Sequence, residues 1–94
     1  MRDIVIYMNP RDFGHKTADC ISAYWSMGRA PKFFSSDNKI WIAAKGCIQG
    51  YVECEFFDPE DLGGETLEWN GDTWVPLVQD IPCKPFRGFR YKWW

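Results

Sequence analysis

Histidine is nearly absent from this 94-residue chain: His15 stands alone, so a Cys–His or Ser–His pair has one candidate base and no neighbouring residue that identifies a nucleophile. Cysteine occurs four times, at Cys20, Cys47, Cys54 and Cys83, but no two have C-x-x-C spacing. That removes the usual zinc and dithiol signatures and leaves buried free thiols as the expectation. Cys47 and Cys54 are an odd number of residues apart and would point to opposite faces of one regular strand. Long apolar runs are also missing. Nothing approaches the roughly 18 residues of a membrane span, and residues 4–8 are too few for a signal-peptide core, so a soluble cytoplasmic protein without a membrane partner is expected. Neither a cofactor nor a metal is called for. The length fits a single domain, residues 1–94.

Positive charge is missing from the middle of the chain. Residues 46–83 hold no Lys or Arg but nine carboxylates, Glu53, Glu55, Asp58, Glu60, Asp61, Glu65, Glu68, Asp72 and Asp80. Both flanks are basic, although the net charge is −2. The segregation permits a basic patch on an acidic protein, or an acidic surface that imitates phosphates before a protein partner.

What is abundant is aromatic: 18% of residues, including six Trp and seven Phe, enough to give a small domain core area from few side chains. The most legible stretch is KIWIAAKGCIQGYVECEFF, residues 39–57. Ile48, Gly50, Val52, Cys54 and Phe56 alternate with Gln49, Tyr51, Glu53 and Glu55, which predicts a strand with the first set facing the core. Ile40, Trp41 and Ile42 supply the preceding strand. Lys45-Gly46 reads as a tight turn in which glycine takes a positive φ. Gly50, inside a strand, predicts a bend, a bulge or a close approach by another backbone.

Residues 4–8 read as a buried first strand, and 9–16 as a loop. A helix is expected from Thr17 as N-cap, with an apolar stripe Ile21, Tyr24 and Trp25, ending at Gly28 before Pro31. Asn70-Gly71 predicts a two-residue hairpin with Trp69 opposite Asp72 and Leu67 opposite Trp74. From Arg87 a last strand is expected, with Phe89, Tyr91 and Trp93 inward and Arg90, Lys92 and Trp94 on the other face. These elements make an α+β fold: a small mixed β pseudo-barrel of about five to six strands with one or two helices.

This order of elements resembles the PUA-like superfamily, particularly its ASCH and EVE branches. The hairpin from Lys39-Ile40-Trp41-Ile42 through Gly46, Ile48 and Gly50-Tyr51-Val52 is similar to the family's strand, turn and I-x-G-x-V strand. Gly14, Lys16 and Asp19 partly match the ASCH pattern G-x-K-x-x-E-x-R, with Ile21 at the Arg position. The resemblance implies a PUA-like pseudo-barrel whose cleft, beside its helix, receives RNA or a modified nucleotide. It also implies, for some ASCH proteins, an amidohydrolase acting on an acylated base through a Lys and a Thr with a carboxylate, here Lys16 and Thr17 with Asp19 nearby.

The first expectation is a binding module for nucleic acid or a modified nucleotide (RNA, DNA or a modified nucleotide as partner), using Lys16, Thr17, Trp25 and Arg29 around a cleft and Arg90 and Lys92 on its rim. Basic residues interleaved with rings can neutralise phosphates and stack bases. The second is a protein-binding inhibitor or adaptor presenting the acidic surface. The third is the amidohydrolase. No catalytic residue is assigned, and binding is favoured over catalysis.

Overall fold

A computed structural model describes residues 1–17, 22–57 and 66–94. In chain order it contains β1 (Ile4–Tyr7), α1 (Pro10–Lys16), β2 (Ala23–Ser26), β3 (Lys39–Ala44), β4 (Cys47–Phe56), β5 (Thr66–Trp69), β6 (Val75–Pro76) and β7 (Arg90–Tyr91), with a 3-10 turn at Gly71–Thr73. The sheet order is β2-β5-β4-β3-β1-β7, and β6 adds to β4. Among the described residues only β1 and β3 run parallel. On the edge away from β3, β4 pairs with β6 at Gly50 and Tyr51, then with β5 at Cys54 and Phe56. One long strand with successive partners curls the sheet into a half-barrel, so the α+β, β-rich pseudo-barrel expectation holds at this coarser level.

The curl puts β1 and β3 at its centre, covered on both faces. Ile4, Ile6, Ile40, Ile42 and Val52 join Met8, Met27, Phe34, Leu67, Trp69 and Phe89 in the main core. Val5, Trp41, Ala43 and Ile48 pack on the opposite face with Cys83, under Leu77, Ile81, Phe86 and Trp94. Two-sided burial explains why IVI and IWIAA read as continuous apolar runs without alternation.

The β3–β4 hairpin forms where expected, with both turn residues at positive φ, Lys45 at 55° and Gly46 at 83°. Gly50 also meets its expectation. A Cβ there would strike the Val75 carbonyl oxygen and lie 2.8 Å from the Trp74 ring and 2.9 Å from Pro76 Cα. The face assignment needs correction. Ile42 pairs with Gly50 but Ala43 with Ile48, so Gln49 is an extra residue on β4. Such a bulge switches the parity of the strand. Ile48 and Val52, placed on one face by alternation, therefore enter different cores. Phe56, expected inside, is 46% exposed beyond a second register shift after Cys54.

Three further expectations are overturned. The helix lies one segment earlier, over the expected loop: the Asn9 side chain accepts from Asp12 N (2.8 Å) and Pro10 occupies the first turn, where its missing N–H costs nothing. Thr17 ends this helix instead of starting one, its Oγ1 donating to the Phe13 carbonyl (2.7 Å). Tyr24 and Trp25 belong to β2, paired with Glu68 and Leu67 of β5, while Ile21 and Asp19 lie outside the described residues. Asn70-Gly71 makes no hairpin. Asn70 accepts from Asp72 N (2.9 Å) and caps the 3-10 turn, which carries the chain from β5 to the other half of that β4 edge. The last strand is only Arg90–Tyr91; Phe89 and Tyr91 do face the main core, but Trp93 is 49% exposed and Trp94 packs edge-on against Trp41. No helix among the described residues is long and apolar enough to cross a membrane.

A candidate cationic and aromatic binding seam

A curled sheet that does not close leaves its main path with two ends, here β2 and β7 among the described strands. The chain after β2 spans them. It turns at Gly28 (φ 78°), buries Pro31, and accepts at the Phe33 carbonyl a hydrogen bond from Arg2 N (2.6 Å) just ahead of β1. Near β7, Gly88 (φ 73°) comes so close that a Cβ would lie 3.1 Å from the Met27 carbonyl oxygen. Along this seam opens a cleft of about 350 Å³, lined by Arg29, Ala30, Lys32, Phe33, Phe89 and Tyr91.

The lining combines positive charge with rings and, among the described residues, contains no carboxylate. The Arg29 guanidinium lies 4.7 Å from the Phe89 ring centre and that of Arg2 4.6 Å from Tyr91. Tyr91 Oη accepts from Phe33 N (3.0 Å), and the two rings are 5.8 Å apart. Phe33 is 56% exposed and Phe89 is buried, so one ring is free to meet a ligand while the other anchors the wall. Ring contacts of this kind hold a guanidinium in place without using its N–H donors.

The six residues expected to form one site fall in three places. Arg29 alone among them lines the cleft. Lys16 ties α1 to β2: its Nζ donates to the Tyr24 carbonyl (2.8 Å) and lies 4.9 and 5.1 Å from the Tyr24 and Trp25 rings, while its carbonyl accepts from Trp69 Nε1 (2.7 Å). The Thr17 hydroxyl is spent on Phe13, and Trp25 Nε1 is buried without a hydrogen-bond partner among the described residues. Arg90 and Lys92 project from the other face of β7, over Phe86 (4.9 Å) and over Trp41 and Trp94 (5.3 and 5.1 Å). Sequence reading did not bring Arg2, Lys32 and Phe33 to this cleft, and it placed Phe89 and Tyr91 inward as packing residues. Their signal was the interleaving of cations and rings in residues 29–34, next to nothing that marks a second half of the site.

The distribution of charge is uniform in one respect. Among the described residues no Lys or Arg forms an ion pair with a carboxylate, and seven of the eleven in the chain sit over an aromatic ring. Of the acidic run, Glu53 and Glu55 are exposed on β4, whereas Asp58, Glu60, Asp61 and Glu65 lie outside the described residues. A second cavity of about 270 Å³, lined by Ser36, Asp37, Asn38, Lys39, Glu53 and Cys54, mixes both signs. The three described thiols are poor nucleophiles. Burial pushes Cys54 up to about 11, a hydrogen bond to Asp80 (3.2 Å) raises Cys47, and burial raises Cys83. No group of three or more His, Cys, Asp or Glu side chains among the described residues is placed to hold a metal. No family model, curated protein or solved structure matches the chain.

Proposed function

We propose that this protein binds nucleic acid or a modified nucleotide, with the seam cleft as the site. The observation that carries this reading is a concave wall of Arg29, Lys32, Phe33, Phe89 and Tyr91, supplemented by Arg2 and free of carboxylates among the described residues. Cations without carboxylate partners attract phosphate, and an exposed ring beside them stacks a base. The volume lies at the lower end of the range for small-ligand sites, which suits one nucleotide unit. A PUA-like assignment is the finer version of the same proposal, supported by the curled mixed sheet and the Gly46–Gly50 hairpin; its cleft then lies at the seam and not beside Lys16.

The test is fluorescence anisotropy with a labelled single-stranded oligonucleotide across a salt series. The Arg29→Gln/Lys32→Gln variant is expected to bind weaker, with a salt slope shallower by about 1.4, roughly 0.7 for each phosphate that is no longer neutralised. Wild-type affinity and slope in that variant would remove the cleft from the reading.

A further inference from the structure

We infer that the cleft holds its nucleotide by a terminal phosphate monoester, on a free nucleotide or at the end of a strand, and not by the phosphodiesters within a strand; this rests on the binding reading above and names the group that the same site selects. The bounds of the cleft, the hydrogen bonds its side chains have left to give and the charge they bring all point the same way.

The wall that carries Arg29 and Lys32 is a strap tied at both ends. At its start, Gly88 lies so near the Met27 carbonyl oxygen that a Cβ would be 3.1 Å from it. At its end, the Phe33 N–H donates to Tyr91 Oη (3.0 Å) and the Phe33 carbonyl accepts from Arg2 N (2.6 Å). Pro31, fully buried between the ties, has a fixed φ and stiffens the span. The cleft opens between these ties, with Phe89 and Tyr91 as its other wall. A strand cannot run lengthwise beneath the strap without breaking one of them. A strand end needs only to enter at the mouth.

The polar side chains of the lining are donors. The Arg29 guanidinium rests on the Phe89 ring, 4.7 Å from its centre, and Lys32 is exposed; among the described residues neither side chain makes a hydrogen bond or an ion pair. Tyr91 Oη accepts from Phe33 N, which leaves the phenol proton to be given. Guanidinium, ammonium and phenol thus offer three separate donor groups to one ligand. A phosphate monoester presents three terminal oxygens and carries about −1.5 to −2 at neutral pH, whereas an internal phosphodiester presents two and carries a single charge. The cleft, about 350 Å³, takes roughly one nucleotide unit, so both cations act on the phosphate of that unit, and the monoester matches them in charge and in acceptors. Phe33, 56% exposed at the mouth, is left to stack the base.

A salt series does not separate one dianion from two monoanions, so the test varies the phosphate itself. Affinities of the full chain are measured by calorimetry for a nucleoside 5′-monophosphate, the same nucleotide with its phosphate methylated to a diester, the nucleoside, ribose 5-phosphate and inorganic phosphate. A short single strand ended by a 5′-phosphate, by a 3′-phosphate or by hydroxyls alone completes the set and separates a strand end from a free nucleotide. The monophosphate and a phosphate-ended strand are expected to bind about tenfold tighter than their methylated and hydroxyl-ended counterparts. Arg29→Gln/Lys32→Gln should abolish that difference with its thermal unfolding unchanged, since both side chains are exposed. If methylation costs nothing and hydroxyl-ended strands bind as tightly as phosphorylated ones, while the double variant weakens both, the selection of an end is wrong and the cleft stands. If nothing in the set binds, both readings fall. Ribose 5-phosphate or inorganic phosphate binding as tightly as the monophosphate would also overturn the inference, since Phe33 would then stack no base.

Discussion

Cys54 occupies the last regular position of β4 before its second register shift, and its thiol is held protonated by burial, reinforced by the charges of Glu55 and Glu68. The native thiol titrates near 11, the unfolded one near 9. Above pH 9 the unfolded chain releases a proton that the native protein retains. The stabilisation is therefore complete below pH 9 and is lost as pH rises towards 11. Chemical denaturation at successive pH values should show stability falling across this window, and less steeply in Cys54→Ala; identical slopes would assign the fall to other groups. A second comparison uses two indoles. Trp69 is fully buried with Nε1 bonded to the Lys16 carbonyl, whereas Trp25 buries an Nε1 that has no partner among the described residues. Trp69→Phe leaves that carbonyl unsatisfied and opens a void, at a cost of about 2–4 kcal/mol; Trp25→Phe removes an unsatisfied donor and should cost at least about 1 kcal/mol less. Urea unfolding midpoints of the two variants decide it.

At the scale of elements, β4 is the member on which the others depend, because it pairs with β3, β5 and β6 in succession. Gly50 lets β6 approach. Gly50→Ala should destabilise by roughly 1–3 kcal/mol, as overpacking does, and should raise hydrogen exchange at Leu77 N, which is bonded to the Gln49 carbonyl (2.8 Å). Unchanged exchange there would mean that β6 is not held by this approach. The β3–β4 hairpin was legible because its determinants are local: alternation, a Lys-Gly turn, and a glycine within a strand. β2 was not. Tyr24 and Trp25 fit a helical stripe as well as a strand, and the choice was made by pairing with β5, more than forty residues away in sequence. Asn70-Gly71 failed for the opposite reason, since an Asn side chain bonded to the Asp72 N–H competes locally with a hairpin turn.

For the whole molecule, charge and aromatic surface are organised together. With cations over rings and no ion pairs among the described residues, stability should change little between about 0.05 and 0.5 M NaCl, because screening has few close charge pairs to weaken. On the proposed nucleic-acid reading, binding at the seam should fall steeply over the same range, because each neutralised phosphate releases counterions. Thermal unfolding and anisotropy in matched salt series separate the two. A stability that tracks salt as closely as binding would indicate that electrostatics supports the fold and not only the site.

By itself the sequence determined the β1 and β3 runs, the Lys45-Gly46 turn, the close approach at Gly50 and the separation of acidic from basic segments. Each depends on neighbours along the chain or on composition. Tertiary structure alone decided that residues 23–26 are a strand, that a bulge at Gln49 divides Ile48 from Val52, and that Arg29 meets Phe89 and Tyr91 while Arg90 and Lys92 turn away. The physical reason is common to all three. They follow from where the curled sheet fails to close and which distant segments its edges bring together, and that geometry is a sum of long-range interactions that no local pattern encodes.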